Sequence, residues 1–129
     1  MMSIKERFTT NNNESRSKCL KFLGTFILDK NNKFLNDEIT LKDGTIVRFV
    51  NGLIDGNLYD AKGNIIEEMA AIEYPDGSQE FWTKGYPSGF PAVSQNMGYY
   101  EEDWEDGHII SIREEIEIEE MSIEPIQKN

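Results

Sequence analysis

The residues able to carry chemistry are few and scattered. The chain holds one histidine, His108, and one cysteine, Cys19, far apart in sequence. Nucleophilic catalysis needs a nucleophile beside a base that a third group orients. His108 follows Asp106-Gly107, a turn signal, so its imidazole is expected to face solvent. One His and one Cys offer no zinc-ligand spacing. The segment Glu102-Asp103-Trp104-Glu105-Asp106-Gly107 has a calcium-loop flavour. With Gly107 at loop position 6, however, Trp104 falls at position 3 and Arg113 at position 12, and neither is a carboxylate ligand. No G-x-G-x-x-G or G-x-x-x-x-G-K-[ST] loop occurs. The expectation is a protein without catalytic residues, cofactor or metal.

What remains is acid and aromatic. The chain has 24 Asp+Glu against 13 Lys+Arg, a net charge of -11. Residues 1–50 hold nine bases and six acids, whereas 51–129 hold four bases and 18 acids. Within 101–124 eleven acids face one base, Arg113. This sign excludes direct nucleic-acid binding by phosphate neutralisation. Tyr99, Tyr100 and Trp104 interleave with Glu101, Glu102, Asp103, Glu105 and Asp106, and Glu115, Glu117 and Glu119 extend the row. Gly85-Tyr86-Pro87-Ser88-Gly89-Phe90-Pro91 is the densest Gly/Pro stretch and offers Tyr86 and Phe90 as aromatic anchors on a loop. These thirteen side chains are the candidate partner-binding set, since aromatic anchors inside a charged rim are the usual anatomy of a hot spot.

The elements that must position them read as β. Fifteen Ile against four Ala is a strand-leaning composition. Turn signals recur at Asp29-Lys30-Asn31-Asn32, Lys42-Asp43-Gly44, Asn51-Gly52, Asp55-Gly56, Asp60-Ala61-Lys62-Gly63, Pro75-Asp76-Gly77, Asn96-Met97-Gly98 and Asp106-Gly107, with short β runs between them. Apolar spacing from Cys19 to Ile27 predicts one short N-terminal helix over about 14–23, then a strand over about 25–29. The predicted fold is mainly β, an antiparallel meander of hairpins. Its expected core is Leu23, Phe26, Ile39, Leu41, Ile46, Phe49, Ile65, Ile72, Phe81, Trp82 and Ile112. Residues 1–13 and 124–129 read as flexible ends around a single domain at 14–123. Residues 109–120 fit a strand, with Ile110, Ile112, Ile116 and Ile118 on one face, and also fit a helix through Ile109, Ile112 and Ile116. No apolar run reaches membrane-spanning length and no secretory leader is visible, so a cytoplasmic location is expected.

The turns align with one another. Residues 27–37 lie over 58–68 at an offset of 31, with Asn32 opposite Gly63. Leu41-Lys42-Asp43-Gly44 lies over Tyr74-Pro75-Asp76-Gly77, Phe49 over Trp82, and Asn51-Gly52 over Lys84-Gly85. A third partial copy sets Ala92-Val93 over Ala71-Ile72, Gly98 over Gly77, Trp104 over Trp82 and Gly107 over Gly85. These strand–turn–strand–aromatic–glycine units resemble the short β-hairpin repeats of the MORN type and of bacterial antitoxin-type repeat proteins. Tyr59-Asp60-Ala61-Lys62-Gly63-Asn64 resembles the YD repeat of bacterial toxin shells. The resemblance spans roughly residues 27–107 and implies an open hairpin array used for protein contacts. It carries over no catalytic residue.

The functional expectation is an acidic protein-binding module that neutralises a basic, nucleic-acid-acting protein. An immunity protein against a nuclease, or a phage-type inhibitor of a nucleic-acid-guided defence enzyme, mimics nucleic-acid charge in this way. The alternatives are a structural or adaptor β-repeat protein and a small ligand-binding β domain.

Overall fold

The computed structural model describes residues 2–8 and 12–118. In chain order the strands are β1 (Met2–Phe8), β2 (Glu38–Thr40), β3 (Ile46–Val50), β4 (Leu53–Ile54), β5 (Leu58–Tyr59), β6 (Ile65–Glu67), β7 (Ile72–Glu73), β8 (Gln79–Glu80), β9 (Trp82–Thr83), β10 (Tyr86–Pro87), β11 (Gly89–Gln95), β12 (Tyr100–Glu105) and β13 (His108–Ile118). The main sheet is antiparallel in the order β1-β13-β12-β11-β8-β7-β3-β2, with β4 also paired to β3. The mainly β meander is as the sequence predicts. Among the described residues no helix is long and apolar enough to cross a membrane.

Three expectations about the N-terminal part are corrected. Residues 2–8, read as a loose end, form β1 and pair along β13 from Met2↔Ile118 to Phe8↔Ile112. The predicted helix is two three-residue 3-10 turns, Asn12–Glu14 and Leu20–Phe22. Its apolar stripe is real, because Leu20, Phe22 and Leu23 pack on the sheet. The side chains of Ser15 and Ser17, however, bond into the protein, and a regular helix would aim them elsewhere. Leu28, placed in a strand, makes only an isolated bridge to Phe34.

The internal duplication is visible as identical backbone bonding. In the first small hairpin Asn32 N–H donates to Asp29 O, and Asp29 N–H to Lys33 O. In the second, Gly63 N–H donates to Asp60 O, and Asp60 N–H to Asn64 O. Asp29 Oδ1 accepts from the amides of Asn31 and Lys33, as Asp60 Oδ1 does from Lys62 and Asn64. The larger turns match too: Gly44 N–H donates to Leu41 O and Gly77 N–H to Tyr74 O. Asp43 and Asp76 each accept an amide two residues on. Three units follow, β2-β3-β4, β7-β8-β9-β10 and β11-β12-β13. Each closes with a two-residue turn whose residues both have positive φ: Asn51-Gly52, Lys84-Gly85 and Asp106-Gly107. That is the type I′ geometry that suits a right-twisted hairpin.

One row of paired residues crosses the sheet: Ile39, Val47, Ile72, Glu80, Val93, Glu102 and Ile112. Directly paired residues share a face, so this row defines the inner face, which residues 12–24 cover. Ile72, Trp82 and Ile112 are core as expected, whereas Leu23, Ile39, Ile46, Phe49 and Phe81 are half-buried. Phe26, Leu41 and Ile65 are exposed. Ile65 lies in a hairpin off the sheet, Phe26 stacks on Phe34 of the other small hairpin, and Leu41 opens a turn. Residues 108–118 are strand, and their parity is broken by a bulge. Asp103 pairs Ser111 but Trp104 pairs Ile109, so Ile110 is the extra residue. Among the side chains described in this strand, Ile109 and Ile112 are therefore the buried isoleucines, and Ile110 is only half-buried.

Candidate functional site

The strip from Tyr99 to Asp106 divides by strand parity and burial. Strand β12 is interior, between β11 and β13. Tyr100, Glu102, Asp103 and Trp104 are buried, Glu102 and Trp104 to 0% exposure, and cannot meet a partner. This overturns their assignment to a binding surface. Inner-face residues lie under the 12–24 segment. On the opposite face Asp103 binds Ser111 Oγ and the Arg113 guanidinium. Glu101 is tied to the same guanidinium at 3.0 Å. Glu115 is half-buried. Glu117 lies in β13, its side chain outside what the structure describes, and Glu119 lies outside the described residues. Tyr99 is exposed but sits at the far end of β12 from Glu105 and Asp106.

The buried acids form a device that composition alone conceals. Glu102 Oε1 accepts from Ser15 Oγ (2.7 Å) and Trp104 Nε1 (2.9 Å), and Oε2 accepts from Arg16 N (2.5 Å) and Tyr100 OH (2.6 Å). Glu80, equivalent at an offset of 22, accepts from Ser17 Oγ (2.7 Å) and Trp82 Nε1 (2.9 Å) on Oε1 and from Tyr74 OH (2.7 Å) on Oε2. The second and third units thus each cap a buried carboxylate with a Trp and a Tyr of their own and a Ser of the covering segment. Burial pushes the Glu80 carboxyl up from its ordinary value, against the pull of those three donors. Burial, followed by the adjoining carboxylates, likewise pushes the Tyr74 and Tyr100 phenols up. Asp55 repeats the theme, taking Tyr59 OH at 2.5 Å and the Lys84 amide at 3.0 Å, and the Tyr59 phenol rises to about 12 through burial first. The readable signal was Glu-x-Trp at 80–82 and again at 102–104. The capping Ser15, Arg16 and Ser17 carried no motif. Burial also raises the Cys19 thiol, which works against a thiolate nucleophile.

The candidate residues that do come together are Tyr86, Phe90, Glu105 and Asp106, at the end of the sheet where the type I′ turns lie. A cleft of about 450 Å³ is lined by Phe81, Phe90, Glu68, Glu105 and Asp106 among others. Phe90 is 64% exposed there. The adjoining cleft, about 630 Å³, holds Tyr86, Asp106 and His108. Tyr86 is set between two glycines: a Cβ on Gly24 would overlap its hydroxyl, and one on Gly107 would lie 3.5 Å from its ring. A third cleft of about 460 Å³ runs between the 51–52 and 84–85 turns, past Leu53, Tyr59 and Asp60. Among the described residues no group of His, Cys, Asp and Glu is arranged to hold a metal ion. No protein-family model, curated protein or solved structure matches the chain.

Proposed function

We propose that this protein is an acidic protein-binding module that occupies a basic site on another protein, of the kind that a nuclease or nucleic-acid-guided enzyme presents to phosphates. The observation that supports it is Phe90, exposed in a cleft rimmed by the carboxylates of Glu68, Glu105 and Asp106. An exposed aromatic ringed by charge is the arrangement of an interface anchor. The excess negative charge of the chain steers its encounter with a positive groove. The binding surface moves from the interior strip 100–104 to the turn-side rim.

The test is affinity purification from the native host at low and high salt, then kinetics with the isolated partner. The expected result is one basic protein released by salt. Reversing Glu68, Glu105 and Asp106 to Lys should slow association, and Phe90→Ala should speed dissociation, with thermal stability unchanged. If the triple reversal leaves affinity and salt slope as they were, the rim is only a solvated surface.

A further inference from the structure

The junction between the first and second units matches the junction between the second and third bond for bond. Asp55 N–H donates to Arg48 O, and Ser88 N–H to Phe81 O. Arg48 N–H donates to Ala71 O in the following unit, and Phe81 N–H to Ala92 O. Gly56 N–H donates to Trp82 O, and Gly89 pairs Trp104. Both glycines lie against the returning chain: a Cβ on Gly56 would meet the Ala70–Ala71 peptide, and one on Gly89 would meet Pro91 O at 3.0 Å. Between these shared points the two junctions differ. The first runs out through residues 57–70, which carry the β5–β6 hairpin, whereas the second closes with Phe90 and Pro91 alone.

The β5–β6 hairpin is footed on the turn ahead of it. Asn57 Nδ2 donates to Thr83 Oγ1 at 2.8 Å, and Asp55, which holds Tyr59, also accepts the Lys84 amide. At the offset of 22, the equivalents of Thr83 and Lys84 are Glu105 and Asp106, and both are exposed. At the first junction the groove is lined by the hairpin stems at Leu58 and Met69 and does not reach residues 82–84. At the second, with no hairpin in the way, the cleft extends past Phe90 to Glu105 and Asp106, and no Lys or Arg lines it.

The element fitted to that cleft stands at the other end of the array. The first small hairpin is the internal duplicate of β5–β6. It shows residues 30–34 to solvent, with Lys30 and Lys33 at its turn and Phe26, Leu28 and Phe34 half exposed on its flanks. It cannot reach the cleft of its own molecule. Ile27 N–H donates to Gly52 O and Gly52 N–H to Leu35 O, which fixes it to the turn after β3. That strand lies four places from β12, about 19 Å across the sheet.

We infer that the Phe90 cleft takes the first small hairpin of a second copy of this chain, inserted turn first. Lys30 and Lys33 meet Glu68, Glu105 and Asp106, and the apolar flank meets Phe90. Each copy gives one hairpin and takes another, so the contact runs head to tail and repeats from copy to copy. At physiological salt the Debye length is about 8 Å, so the net charge of each copy is screened while these close pairs act. The inference goes beyond the protein-binding reading and concerns the same rim, since a seated copy blocks it to a basic partner.

Sedimentation velocity of the full chain at physiological salt, over about 5 to 500 µM, tests it, because one hairpin in one cleft is a small interface and a weak one. The sedimentation coefficient should rise with concentration. Lys30→Glu with Lys33→Glu, and separately Glu105→Lys with Asp106→Lys, should each weaken association about tenfold or more, a loss of about 1.4 kcal/mol. Melting temperatures should hold, since the altered side chains are exposed and Lys84 already occupies the position equivalent to Asp106 with the same positive φ. An equimolar mixture of the two variants should associate again, because each acidic hairpin then meets a basic cleft and each basic hairpin an acidic one. Phe90→Ala should weaken association of the native chain without loss of fold. A chain that stays monomeric throughout, variants that associate as the native chain does, or a mixture that is not restored overturns the inference. The proposed function is judged separately by Lys30→Glu with Lys33→Glu, which should abolish self-association and leave capture of a salt-released basic partner intact. A monomeric chain that captures such a partner leaves that function standing while the second copy falls.

Discussion

Glu80 and Glu102 occupy equivalent places in successive units, yet the same substitution should affect them differently. Glu102 faces an obligate donor on each oxygen: Trp104 Nε1 on Oε1 and the Arg16 amide on Oε2. In Glu102→Gln, whichever way the amide is turned, its NH2 meets one of these N–H groups. A buried donor left without an acceptor costs about 1–3 kcal/mol, and the bonds that remain lose charge assistance worth about 1 kcal/mol each. The expected loss is about 2–4 kcal/mol. Glu80 has an obligate donor only on Oε1, from Trp82, while Oε2 meets the Tyr74 hydroxyl, which accepts as well as donates. In Glu80→Gln the carbonyl keeps Ser17 and Trp82, the NH2 donates to Tyr74, and the phenol proton turns toward Cys19 Sγ, 3.9 Å away. Burial already disfavours the charge at Glu80. The expected change is therefore within about 1 kcal/mol. Urea unfolding of both variants at neutral pH, followed by tryptophan fluorescence, measures the difference directly. Equal losses, or a larger loss at Glu80, would refute the donor accounting on which the two cages rest.

Further outcomes follow from the same geometry. Because burial holds the folded Glu80 carboxyl above its ordinary value of 4.5, its contribution to stability is complete below the unfolded value and is lost as pH rises through the folded one. The stability of the native protein minus that of Glu80→Gln should therefore fall as pH is raised above 4.5, and a difference that rises instead contradicts the assignment. Trp104→Ala removes a fully buried indole and should cost about 3–5 kcal/mol in denaturant unfolding, so any lost binding would come with lost fold. Gly63→Ala meets open space and carries only its positive-φ penalty, about 1 kcal/mol. Gly56→Ala would drive a Cβ into the Met69 carbonyl and the Ala70–Ala71 peptide, and its melting temperature should drop far more than that of Gly63→Ala.

Much of the architecture was legible because its signals are local. Asn51-Gly52 and Asp106-Gly107 encode two-residue turns through the φ values their residues tolerate, and Lys84-Gly85 could be placed by alignment with them. Asp29 and Asp60 hold their turns through bonds within four residues, so matching sequence meant matching backbone. Other features lay outside that range. Strand parity in 108–118 was readable, but the bulge at Ile110 depends on the pairing with β12 and moved the buried face. The acids of 101–104 looked like a surface because charge seeks water by default. The burial of Glu102 depends on donors 86 and 87 residues away, Arg16 and Ser15, and no local pattern announces them. Exposure of Phe26 and Ile65 has the same origin, since a hydrophobic residue is core only if another element covers it. Composition, turns and repeat period were thus determined along the chain, where the interactions are short. Which carboxylates are capped inside and which line the rim was decided only by tertiary structure, because the desolvation of a charge depends on every group that surrounds it.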